Sequence, residues 1–136
     1  MSAPQQTMTI LAVSDLERSV GFYREVFGWP TRIKVPVLVE FELPDGRGLA
    51  LYQRESFGVN TNQVPVAVPV GEIAGAELYF HCEDLEGVID RLRAAGAREL
   101  SPVAPRDWGD EVAYFGDFDG VVIAVARPLH QPQPPR

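Results

Sequence analysis

The sequence holds a single cysteine, Cys82, so no internal disulfide can form and the chain is suited to a reducing compartment. Cys82 sits in an apolar run and reads as a small buried hydrophobe rather than a reactive thiol. No stretch approaches the roughly 20 apolar residues of a membrane-spanning helix. Residues 1–7 lack the charged and apolar regions of a secretory signal. A cytoplasmic chain with no membrane partner is therefore expected. Basic clusters are missing too. The net charge of −7 opposes phosphate-rich partners, which excludes nucleic acid as an expected ligand. An acidic surface favours cationic small molecules electrostatically; its alternative role is solubility alone.

What is present is a chain of 136 residues with 46% hydrophobic and 23% charged residues, the size and composition of one globular domain with a real core. Within it the chain nearly repeats itself. Val13-Ser14-Asp15-Leu16-Glu17 ends a β-like run and opens a helix, and Cys82-Glu83-Asp84-Leu85-Glu86 does the same. Downstream, Asp45-Gly46 precedes Leu49-Ala50-Leu51, and Asp119-Gly120 precedes Ile123-Ala124-Val125. A duplicated supersecondary unit is the reading.

Each copy reads β-α-β-β-β. In the first, Thr9–Val13 is a strand. Ser14-x-x-Glu17 reads as a capping box opening a helix, with Leu16, Val20, Tyr23 and Phe27 at helical spacing and Gly28 at its end. Thr31–Val35 and Val37–Leu43 are β-rich, and Asp45-Gly46 is a hairpin signal before Leu49–Gln53. In the second, Glu77–Cys82 is a strand. Asp84–Ala95 is a helix with Leu85, Val88, Ile89 and Leu92 on one face, closed by Gly96. Leu100–Pro105 is a weak strand or loop, and Asp110–Gly116 with Val121–Arg127 forms the last hairpin. Module one spans about 8–53 and module two about 76–127. The linker of about 54–75 is too irregular to assign, and 128–136, rich in proline, reads as a disordered tail.

These residues resemble the vicinal oxygen chelate superfamily, which includes glyoxalase I, bleomycin-resistance proteins and extradiol dioxygenases. The likeness runs through residues 13–29, through Leu43-Pro44-Asp45-Gly46 and Asp84-Leu85-Glu86, and on to Trp108-Gly109 and Asp117-Phe118-Asp119-Gly120. The resemblance implies an α+β fold in which two tandem βαβββ modules form a curled mixed-sheet cup holding a ligand or metal. It also implies that two chains commonly associate, so a homodimer is expected. Metal-dependent relatives place His, Glu or Gln at the start of each module's first strand and in each last strand. The matching positions here are Met8 and Glu77, then Ala50 and Ala124. Only Glu77 suits a hard divalent cation, and three ligands are the usual minimum. No metal and no other cofactor is therefore expected.

Period two along the strands assigns faces. Leu78, Phe80 and Cys82 fall on the helix side, which leaves Glu77, Tyr79 and His81 on the cup side. Leu49 and Leu51 are core, against Ala50 and Tyr52. Val121, Ile123 and Val125 are core, against Val122, Ala124 and Ala126. Val39, Phe41 and Leu43 are core, against Glu40 and Glu42. The candidate ligand-binding set is Glu40, Tyr52, Glu77, Tyr79, His81, Trp108 and Tyr114, which offers aromatic walls with a few polar groups to a small molecule. Glu77 and His81 are the candidates for proton transfer. Each has a plainer reading: His81 bonded to a strand-end neighbour, Glu40 at an exposed edge, Trp108 as a loop anchor. Three functions follow. The leading one is a metal-independent protein sequestering an aromatic or cationic ligand. The others are a metal-dependent glyoxalase- or dioxygenase-type enzyme with an atypical set such as Glu77, His81 and Glu40, and a metal-free acid–base enzyme using Glu77 or His81.

Overall fold

The structure, a computed structural model, describes residues 2–129. Packing divides the chain into two compact units that meet in sequence between Ala67 and Val68. Each unit carries one four-stranded mixed sheet with a helix on one side, so the fold is α+β.

The first unit runs β1 (Met8–Val13), α1 (Leu16–Phe27), β2 (Thr31–Val35), β3 (Leu38–Glu42), β4 (Gly48–Gln53) and α2 (Arg54–Thr61). Its sheet order is β1-β4-β3-β2, with β1 parallel to β4 and the other pairs antiparallel. Helix α1 buries Val20, Phe22, Tyr23 and Val26, and Val39, Phe41, Leu49 and Leu51 are buried on the sheet. Gly28 ends the helix at φ 68°, a left-handed conformation that glycine adopts without Cβ strain. Trp29 then stacks on Phe27 with ring centroids 4.3 Å apart.

The helix start differs from the sequence expectation. Asp15, not Ser14, is the N-cap: its carboxylate accepts from the Arg18 N–H at 3.1 Å. Ser14 Oγ instead accepts from the Arg18 side chain. Asp84 does the same at α3, accepting from the Gly87 N–H at 3.1 Å. The repeat held this signal, because Asp is what the two helix starts share where Ser14 faces Glu83. The linker also differs: its first third is α2, held at its start by Gln53, whose side-chain oxygen accepts from the Ser56 N–H, and at its end by Asn62 at φ 58°. Gly58 is its one buried residue, so no apolar stripe marked it.

The second unit runs β5 (Glu77–His81), α3 (Leu85–Ala94), β6 (Arg98–Pro105), β7 (Asp110–Gly116) and β8 (Val122–Pro128). Its order, β5-β8-β7-β6, repeats the first sheet, again with one parallel pair, β5 with β8. Leu85, Val88, Ile89 and Leu92 are the buried stripe of α3. Phe115, Ile123 and Val125 are fully buried on the sheet. β6 is a longer strand than the weak signal at 100–105 suggested, because irregularities at 99–101 and 101–104 break its alternation. Pro128 closes β8, and the Leu129 N–H donates to Gly109 O at 2.9 Å. The strand thus continues into what reads as tail; the rest of that expectation, 130–136, lies outside the described residues. The Asp119-Gly120 turn is held by Asp117, whose carboxylate accepts from the N–H groups of Asp119 and Val121 at 2.9 Å.

Candidate functional site: the aromatic row of the second sheet

Strand register lays the second sheet out as rows. His81 pairs with Ala126, and Ala126 with Val112, which pairs with Ala104; Tyr79 pairs with Ala124, and Ala124 with Tyr114, which pairs with Ser101. Residues in one row share a face, so Tyr79, His81, Tyr114, Ala124 and Ala126 lie together opposite α3, as the alternation predicts. Val112, Ala124 and Ala126 are fully buried, and half-buried Tyr114 packs against them. Glu77 is on the same face one step along, beside Val122, and is exposed.

β8 lies between β5 and β7. Its face residues here are alanines, and their methyl groups leave side chains on the flanking strands free to meet over them. They do so at Asp110, the first residue of β7. Tyr79 donates its hydroxyl to Asp110 Oδ2 at 2.5 Å, and His81 Nε2 lies 2.9 Å from the same oxygen. Trp108, in the turn before β7, donates Nε1–H to the Tyr79 hydroxyl at 2.8 Å. The outcome is a connected row, Trp108–Tyr79–Asp110–His81. Asp110 is 9% exposed, whereas Trp108 is 60% and Tyr79 37% exposed. The carboxylate is the buried anchor; the rings present themselves outward.

Electrostatics follow the geometry. The hydrogen bond from Tyr79, aided by that of His81, holds the Asp110 carboxyl below its ordinary value. Desolvation, with the Asp110 bond behind it, pushes the Tyr79 phenol up, so it stays a donor at neutral pH. Desolvation also raises the half-buried Cys82 thiol, which keeps it protonated and consistent with a packing role.

Of the predicted residues, Tyr79, His81 and Trp108 are brought into direct contact, and Tyr114 and Glu77 share their face. Glu40 and Tyr52 belong to the first unit, and both have local partners. Glu40 is not at an exposed edge: it is 5% exposed and ion-paired to Arg32 at 2.8 Å. The pair lies over Gly48, where a Cβ would stand 2.1 Å from Glu40 Oε2. The Tyr52 hydroxyl accepts from Asn60 on α2 at 3.0 Å, and its ring meets Phe57 edge-on. Asp110 joins the site without a signal in the sequence. Asp110 reads as an ordinary strand start, and its partners are 29 and 31 positions away. A groove of about 870 Å³ in the first unit is lined by Leu16, Val20, Arg24 and Lys34 among others, and contains none of the predicted residues.

The donor set does not fit a metal. The first unit offers Met8 and fully buried Ala50 at the superfamily's ligand positions; the second offers Glu77 and fully buried Ala124. Among the described residues, no three His, Cys, Asp or Glu side chains converge as a metal set. Of the atypical trio of Glu77, His81 and Glu40, Glu40 is already engaged by Arg32.

Two four-stranded mixed sheets built from repeated strand–helix–strand modules are the architecture of the vicinal oxygen chelate superfamily. The model of the glyoxalase-like domain family matches residues 6–130, and the chain belongs to that family. A glyoxylase-like domain-containing protein of Didymella fabae is 26% identical over 123 residues, covering 85% of this chain and 87% of that protein. A crystal structure of a glyoxalase/bleomycin resistance protein/dioxygenase from Nocardioides superposes with a TM-score of 0.78 at 26% identity, covering 100% of this chain and 91% of the other. A glyoxalase-related enzyme from Fulvimarina pelagi gives 0.78 at 23% identity, covering 92% and 88%.

Proposed function

We propose that this protein is a metal-independent small-molecule binding protein that takes an aromatic ligand at the exposed Trp108–Tyr79 edge of the second sheet. The observation that carries this reading is the exposed Trp108–Tyr79 aromatic edge, hydrogen-bonded to buried Asp110. Rings fixed by hydrogen bonds lose little freedom when a ligand stacks on them, which lowers the cost of binding. A family that holds several unrelated chemistries does not by itself choose among them; the donor-poor ligand positions favour binding over metal chemistry. The relative from Nocardioides, described in part as a bleomycin resistance protein, is in keeping with a sequestering role.

Titration of the intact protein with neutral planar aromatics, followed by tryptophan fluorescence, tests this. Trp29 is buried, so saturable quenching should come from Trp108 and vanish in Trp108→Phe. Absence of saturable quenching across the set would sink the reading.

A second reading has its own observation. His81 bonded to a buried carboxylate is the arrangement of a base and the group that orients it. On that reading His81 moves a proton and Asp110 positions it, without metal. Turnover that survives chelation and disappears in His81→Gln would favour it.

A further inference from the structure

The first unit carries a groove that none of the functions above uses. It holds about 870 Å³, a volume within the range of small-molecule sites, and it is lined by α1 and by the β2 side of the sheet. Leu16 and Val20 of α1 and Val39 of β3 give it an apolar wall. Two residues of the lining are out of place for a surface that only closes over a core. The first is Gly21, in the middle of α1, where glycine weakens a helix. The other helical glycines have close neighbours: a Cβ at Gly58 would stand 2.8 Å from Val64 Cγ2, and one at Gly87 would collide with the Asp84 carboxylate. A Cβ at Gly21 would meet nothing within 4 Å beyond its chain neighbours and its own helix backbone. No packing among the described residues calls for glycine there, and the missing side chain widens the groove.

The second is Lys34, the one lysine of the sequence. Register sets it beside Val39, and Val39 beside Leu51, so the three share the α1 face of the sheet. Leu51 and Val39 are buried, and the row then ends in an exposed cation. Lys34 enters no hydrogen bond or ion pair among the described residues. Arg24 also lines the groove, and its Nη2 donates to Thr31 Oγ1 at 3.3 Å. Glu17 is the one acidic residue of the lining. Two cations against one carboxylate give the groove a positive sign in a chain of net charge −7.

We propose that this groove is a second binding site, and that it takes an aliphatic carboxylate. The alkyl chain lies along Leu16, Val20 and Val39 past Gly21, and the carboxylate meets Lys34 and Arg24. Burial of the chain supplies affinity. The cations select the sign of the head group, since the field of the whole chain opposes an anion. The site shares no residue with the Trp108–Tyr79 edge and stands or falls without it.

The test titrates the full chain at neutral pH with octanoate, 1-octanol and octylammonium by calorimetry. Octanoate should bind about fivefold tighter than octanol, the upper range for an exposed ion pair, and octylammonium should bind weakest. Butanoate, which keeps the head group and loses four methylenes, should bind at least about tenfold more weakly than octanoate. Lys34→Gln should remove most of the preference for octanoate over octanol, and Lys34→Arg should retain it. Gly21→Leu should fill the groove and weaken octanoate at least about tenfold. Its urea midpoint should hold or rise, because leucine is the better helix former. Lys34 is exposed, so its variants test the site whatever Gly21→Leu does to the fold. Saturating octanoate should also slow acetylation of Lys34, read by peptide mass spectrometry. Failure of octanoate to bind, tightest binding of octylammonium, or an octanoate preference unchanged in Lys34→Gln overturns the proposal.

Discussion

At the residue scale, Asp110 links the candidate site to stability. Its carboxyl is held below its ordinary value by Tyr79 and His81. A depressed carboxyl contributes stability above its unfolded-state value, about 3.9 for Asp, and loses it as pH falls through the folded value. Asp110→Asn keeps the shape and removes the charge. The variant should be less stable than the parent at neutral pH, and the gap should close below about pH 4 as the parent's carboxyl is protonated. Urea denaturation at a series of pH values measures this; a gap that stays constant with pH would show that the charge contributes nothing. Period two predicted that Tyr79 and His81 share a face, because side-chain direction is a local property of a strand. It could not predict that both would bond Asp110, since that contact depends on β8 lying between β5 and β7 and carrying alanines there.

At the element scale, the two copies are more informative together than either alone. Ser14-x-x-Glu17 suggested a capping box, yet the aspartate common to both starts makes the cap in each. Asp15→Ala should cost about 1 kcal/mol, in the usual range for losing a carboxylate cap, and Ser14→Ala much less. Chemical denaturation of both variants decides it; equal losses would restore the serine to the cap. The buried stripe of α3 was legible because helical spacing of apolar residues is a strong signal; in α1 the spacing found Val20 and Tyr23, while Leu16 and Phe27 are only partly buried and Phe22 and Val26 lie in the core. Helix α2 was not legible, since its one buried residue is a glycine and no apolar stripe marks it. β6 was only half legible, since its bulges interrupt the alternation by which a strand is recognised.

At the scale of the whole molecule, duplication supplied two similar sheets, and the faces opposite their helices have diverged. Residues matched by register show how. Ile10 pairs with Ala50, and Tyr79 with Ala124; Glu40 pairs with Ala50, and Tyr114 with Ala124. The first sheet covers its face with an Arg32–Glu40 ion pair over Gly48, the second with the Trp108–Tyr79–Asp110–His81 row. Neither sheet gathers a metal set. Protein purified without chelator should carry less than about a tenth of an equivalent of any transition metal, and EDTA should leave its melting temperature unchanged, because metal that binds only the folded state would raise it. Near-stoichiometric iron, nickel, zinc or manganese by elemental mass spectrometry would overturn the donor-set conclusion.

The sequence by itself determined the repeated β-α-β-β-β order, the buried face of α3, and the alanines where the superfamily's metal-dependent members carry ligands. Each is written in local spacing or in the comparison of one copy with the other. Only the tertiary structure decided that Asp110 anchors Tyr79 and His81, that Glu40 belongs to Arg32, and that Arg106 lies over the Tyr114 ring. These depend on which strands are neighbours and what the strand between them carries. Hydrogen bonds and ion pairs act over a few ångströms, and residues far apart in sequence come within that reach only after the sheet has assembled.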